Sequence, residues 1–206
     1  MKVDGKPRRS IWLETDGWSV GVIDQTRLPH QLATATLTTL DAAAAAITRM
    51  VIRGAPLIGA TAAYGMCLAL RQDASDDAIA RAYKVLLATR PTAINLKWAL
   101  DEMVAEVRDR PRAERMAAAY ARAAEISAED IAINQAIGRH GLKLIEDIAA
   151  RKKPGAPVNI LTHCNAGFLA TVDLGTATAP ISGAPRITMA RIACAASARL
   201  VRRAVT

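Results

Sequence analysis

Residues 158–168 read VNILTHCNAGF. The run Val158–His163 is a short apolar strand, Cys164–Gly167 is a tight turn, and a helix is expected from Phe168. Strand, glycine turn and helix open an open parallel α/β sheet, and such sheets bind ligands at the carboxyl ends of their strands. Cys164 stands at that end. A thiol just before a helix start can have its pKa lowered and serve as a thiolate or a polarised donor. Free cysteine is also among the most buried residue types, so the residues alone leave a catalytic and a structural role open. Asn165 and Gly167 add a side-chain amide and accessible backbone N–H groups. His163 alternates to the other face and is expected in a core or an interface.

Upstream, Lys152–Pro157 (KKPGAP) has the composition of a linker. Before it the pattern is helical. Leu40–Ile52 follows two threonines able to cap it and stops at Gly54. Pro56 suits the first turn of the next helix, because its missing N–H costs nothing there. That helix runs to about Arg71. Ser75 caps a third helix, to about Thr89. Arg90-Pro91-Thr92 interrupts, and a fourth helix runs from Asn95 to about Arg108. Pro111 opens a long stretch to Arg151, with a break expected near Ser127. At the front, Ile11–Ile23 alternates around Asp16-Gly17, a strong hairpin signal. Asp24–Pro29 follows as a loop, and residues 31–38 offer another strand.

The helical part holds two candidate anion sites. Arg53-Gly54-Ala55-Pro56 places backbone N–H groups at a helix start. Helix N-termini favour anions, Arg53 adds a forked cation, and glycine permits close approach of the backbone. A phosphate cradle and an ordinary helix–helix turn both satisfy this spacing. Arg90 precedes a proline, which pushes it out of helix and lets its side chain enter a cleft. A solvated loop arginine fits equally.

Composition narrows the classes. The chain has 206 residues, 51% apolar but only 3% aromatic, so alanine-rich helix packing is expected. Cys67, Cys164 and Cys194 show no paired spacing, so no disulfide framework and no metal site are expected, which fits a reducing cytoplasm. The basic N-terminus leads into no apolar signal segment, and no apolar run spans a bilayer, so neither secretion nor a membrane partner is expected. Net charge is +8, yet residues 182–206 carry five arginines and no acid; the remainder holds 22 basic and 19 acidic residues. No basic stripe interleaves with aromatics, so nucleic acid is not the expected partner.

Taken in order, DQTRLP (24–29), VIRGAPLIGATAAYG (51–65), RPTAINLKWAL (90–100), INQAIGRHG (133–141) and ILTHCNAGFLATVDLGTA (160–177) resemble the methylthioribose-1-phosphate isomerase family. That family shares a superfamily with the regulatory subunits of translation initiation factor 2B. The resemblance runs from about Ile11 to about Pro180. RGAP, RPT and THCNAG together are specific, and the cysteine favours the sugar-phosphate isomerases over the initiation-factor subunits.

The resemblance implies an aldose–ketose isomerase of methionine salvage acting on 5-methylthioribose 1-phosphate, without cofactor or metal. It implies that Arg53, Gly54, Ala55 and Arg90 bind substrate and that Cys164 stabilises the transition state. Full-length members are expected to be homodimers. A partner aspartate and a substrate-binding glutamine come later in the family's second domain and have no counterpart here. Residues 182–206 match nothing expected, as in a truncated or frameshifted product, and little activity is expected of the chain. A ribose-1,5-bisphosphate isomerase and a noncatalytic initiation-factor-like protein are the alternatives.

The expected fold is α/β. It comprises an N-terminal β-hairpin with a helical domain (1–151), the first strand–helix unit of an incomplete Rossmann-like domain (152–181), and an Arg/Ala-rich tail (182–206).

Overall fold

The structure is a computed structural model and describes residues 2–3, 6–153, 156–162, 165–182 and 190–194. A small ladder joins β1 (Lys2–Val3) and β2 (Lys6–Pro7). The expected hairpin is β3 (Ile11–Leu13) and β4 (Val20–Asp24), antiparallel, with Ile11 opposite Val22. Its turn is fixed by Asp16, whose carboxylate accepts from the backbone N–H groups of Trp18 and Ser19, each at 2.9 Å, and from the Ser19 hydroxyl at 2.6 Å. Gly17 supplies the left-handed backbone this turn needs, at φ +77°. The third strand, β5 (Ala33–Leu37), pairs antiparallel with β4.

The helices are α1 (Leu40–Thr48), α2 (Ala55–Gln72), α3 (Asp76–Thr89), α4 (Ile94–Val107) and α5 (Arg112–Ala150). Thr39 and Ser75 cap α1 and α3 by accepting from Ala42 and Ala78 N–H. α1 ends earlier than its apolar pattern predicts. Met50 takes a left-handed backbone at φ 58°, and the chain turns so that Ile52 is buried outside the helix. α5 does not break at Ser127, because that hydroxyl is satisfied within the helix, donating to the Ala123 carbonyl at 3.0 Å.

α2 is buried on every side from Leu57 to Leu70 and is the axis of the core. A helix apolar all round belongs at a centre, and the small residues of α2 let its neighbours approach closely. The turns on either side of α3 are short, so α2 and α3, and then α3 and α4, run antiparallel, leaving α2 and α4 parallel. A Cβ on Gly59 of α2 would lie 2.9 Å from the Asn95 carbonyl oxygen and 3.6 Å from Ala99 Cβ in α4. The first turns of the two helices therefore sit side by side.

After α5 comes β6 (Val158–Thr162). The expected α-helix from Phe168 does not form. Phe168–Ala170 is a single 3-10 turn, and Thr171 is extended at φ −130°, ψ 177°. Leu174 and Gly175 then take φ 70° and 74°, values that a right-handed helix cannot propagate through. A short helix, α6 (Ala179–Ser182), follows and packs on α5 where Gly138 and Gly141 leave room. The glycines of INQAIGRHG thus mark close helix packing. Within the tail read as matching nothing, Ala190–Cys194 forms β7, parallel to β6 with Ile160 opposite Ile192.

Candidate functional site

The Arg53–Pro56 turn lies where α1 has ended and α2 begins. Gly54 caps α2 at φ 112°, no side chain caps the helix, and its first turn carries no acidic residue. The first turn of α4 likewise has neither a side-chain cap nor an acid. Two parallel helix dipoles thus present positive ends at one edge of the molecule. Arg53 and Ala55 are exposed there, and Arg90 is half-buried at the C-terminus of α3, where its carbonyl accepts from Ala93 N–H at 2.9 Å. Local sequence explains this: Pro91 cannot continue α3, and Pro56 pre-sets the entry into α2.

The segment after β6 comes to the same edge. Asn165 Nδ2 donates to the Arg53 carbonyl at 3.5 Å. A Cβ on Gly54 would collide with the Cα, carbonyl oxygen and Cβ of Ala170. The glycine of RGAP therefore admits the chain's own backbone, a use its spacing did not reveal. Cys164 and His163 lie outside the described residues; Asn165, the neighbour of Cys164 in sequence, is brought to Arg53. Cys67 is fully buried in α2, its thiol donates to the Ala63 carbonyl at 3.3 Å, and burial pushes its pKa up, so it is core, as its alanine-rich surroundings suggest.

Three side chains that the sequence did not single out hold this segment. The Ser10 hydroxyl donates to the Phe168 carbonyl at 3.0 Å, and Gln25 Nε2 donates to the Leu169 carbonyl at 2.7 Å. Asp130 Oδ2 accepts from Val172 N–H at 2.8 Å. Burial is the main cause that raises the Asp130 pKa; the Val172 and Asn134 hydrogen bonds oppose it, and the charge of Asp173 adds to it. Gln25 lies within DQTRLP, but no local pattern reports a partner 144 residues away.

A cavity of about 300 Å³ opens beside the first turns of α2 and α4, lined by Pro56, Gly59, Asn95, Trp98, Asp130 and Asn134 among others, and it is mainly apolar. A larger open groove of about 880 Å³ lies between α3 and α4, around Tyr83, Asp101 and Arg108. None of the residues predicted to bind substrate lines either. Among the described residues, no helix is long and apolar enough to cross a membrane.

A central buried helix, parallel helix starts at one edge and a segment after β6 that reaches that edge define an α/β protein in which a helical body is followed by a pair of parallel strands. The chain belongs to the initiation factor 2 subunit family, whose sequence profile matches residues 51–196. It is 59% identical over 181 residues to the methylthioribose-1-phosphate isomerase of Rhodospirillum centenum, covering 88% of this chain and 48% of that protein. It is 61% identical over 181 residues to the enzyme of the same name from Paramagnetospirillum magneticum, with 88% and 49% covered. The chain spans about half the length of the curated relatives it matches.

Among solved structures, it resembles the delta subunit of translation initiation factor eIF-2B from A. fulgidus (TM-score 0.74, 31% identity, 91% of this chain and 54% of that one). It is equally similar to the 5-methylthioribose 1-phosphate isomerase of Pyrococcus horikoshii (TM-score 0.73, 28% identity, 94% and 62%).

Proposed function

We propose that this chain carries the substrate-phosphate side of a sugar-phosphate isomerase. On this reading the whole protein converts 5-methylthioribose 1-phosphate to 5-methylthioribulose 1-phosphate, a step of methionine salvage. The observation that carries the reaction is the 59–61% identity to proteins named for it. Fold alone does not separate this reading from a regulatory subunit, since the two structural likenesses are nearly equal.

The geometry is compatible with the chemistry. Phosphate on the anomeric oxygen keeps the ring from opening as a free sugar does. The protein must assist that opening and then move hydrogen between two carbons. Arg53 and the Gly54 and Ala55 backbone at the start of α2 bind the phosphate, with Arg90 as a second cation. Cys164, next to Asn165, stabilises the transition state. An acid/base partner within hydrogen-bond reach completes the reaction. The partner molecule is a small sugar phosphate rather than nucleic acid. The whole protein is a cytoplasmic homodimer on the same family reading.

Binding of 5-methylthioribose 1-phosphate to this chain, measured by titration calorimetry, tests the proposal. Arg53→Ala and Arg90→Ala are each expected to weaken binding about 10- to 100-fold, the worth of a charged hydrogen bond. Ribose 1,5-bisphosphate is expected to bind more weakly; tighter binding transfers the reading to that substrate. In the whole protein, Cys164→Ser is expected to lower turnover by about 10²- to 10⁴-fold. Binding with no turnover, indifferent to Cys164→Ser, replaces the enzyme with a noncatalytic binding protein.

A further inference from the structure

The segment Asn165–Val172 is held by groups from three separate parts of the chain. Ser10, just before β3, donates to the Phe168 carbonyl through its hydroxyl, and its backbone N–H donates to the Val172 carbonyl at 3.0 Å. Gln25, just after β4, donates through its side chain to Leu169, while its own N–H donates to the Val51 carbonyl at 2.8 Å. Asp130 of α5 takes the Val172 N–H. Ser10 is 1% exposed and Gln25 5%, so both donors are buried while the carbonyls they reach are half-buried. The Phe168 carbonyl also accepts from the Thr171 N–H at 3.4 Å and its hydroxyl at 3.3 Å, so loss of the Gln25 donor is the more disruptive of the two. Gly54 closes the set, because its missing Cβ is the space Ala170 occupies.

We propose that Ser10 and Gln25 are positioning residues. They grip the two successive carbonyls of Phe168 and Leu169 and fix the segment from Asn165 onward against the Arg53–Gly54 turn. The hairpin is then a clamp that sets the distance between Asn165 and the Arg53 turn. Val51 links the Gln25 backbone directly to the stretch that leads into Arg53, so the clamp and the anion turn share one rigid frame. The catalytic consequence rests on the isomerase reading above; the clamp itself does not.

Two variants remove one donor each at small cost in volume, Gln25→Met and Ser10→Ala. Hydrogen–deuterium exchange on the intact chain reads the clamp. In each variant the amides of residues 168–175 are expected to exchange about 10-fold faster, the effect of one lost hydrogen bond, while α2 and α4 stay within about twofold of wild type. Calorimetry reads the positioning. Affinity for inorganic phosphate is expected to stay unchanged, and affinity for 5-methylthioribose 1-phosphate to fall about 10-fold, since only the larger ligand spans both turns.

Unchanged exchange at 168–175 in both variants overturns the proposal. So does faster exchange throughout the helices, or equal loss of both affinities, because either marks ordinary support of the fold. If wild type binds neither ligand, the isomerase reading fails, and the exchange result still decides the clamp.

Discussion

Single residues show how much a local motif conceals. Gly54 was legible as a glycine needed for close approach, but the approaching group is Ala170 rather than a ligand alone. Gly54→Ala meets both a backbone at φ 112° and a collision with Ala170, so it is expected to cost about 1–3 kcal/mol and to loosen residues 165–172. Thermal unfolding and hydrogen exchange at that segment check it. Asp16 gives a pH signature. The Ser19 hydroxyl is the largest cause holding its carboxyl below the ordinary 3.8, followed by the Trp18 N–H. Its folded pKa is thus lower than its unfolded one. The stabilisation is fully present above the unfolded value and is lost as pH falls through the folded one. Urea midpoints followed downward from pH 5 should fall more steeply in wild type than in Asp16→Asn.

At the scale of elements, the sequence was most readable where the signal was local. Thr39, Ser75, Pro56 and Pro111 mark helix starts, and Asp16-Gly17 marks the hairpin, because caps and turns act over a few residues. It was least readable after Gly167, where the strand–turn–helix pattern suggested an α-helix. There the backbone bonds go to Ser10, Gln25 and Asp130, which no window of neighbouring residues contains. The pairing of α2 with α4 is likewise nonlocal, and Gly59 permits it. Gly59→Ala raises helix propensity by up to about 1 kcal/mol but forces a methyl onto the Asn95 carbonyl, a backbone atom that cannot swing away. The clash is expected to win, with a net loss of about 1–2 kcal/mol and a separation of the two helix starts. A lower unfolding temperature together with weaker sugar-phosphate binding is the expected result; a stabilised protein with unchanged binding sinks the account.

Over the whole molecule, the helical body and the segment that follows it differ in how they are held. The body is organised around α2, with Leu57, Met66, Leu68, Leu86, Leu100 and Met103 all at most 1% exposed. The segment after β6 contributes few apolar groups, chiefly Ala170, Val172 and Ala179, and is attached mainly by partly buried hydrogen bonds. This asymmetry predicts how a chain ending at Arg151 behaves. Its α-helices keep their mutual contacts, so the far-ultraviolet dichroism per helical residue should be retained. Ser10, Gln25 and Asp130 lose their partners but gain water at the same step, which limits the penalty to the lost apolar burial. Val172 and two alanines amount to about 2–4 kcal/mol at the usual worth of buried side chains. A cooperative unfolding transition at lower temperature, with α2 amides still strongly protected from exchange, is the expected outcome. Collapse of that protection would mean that the docked segment, and not α2, organises the core.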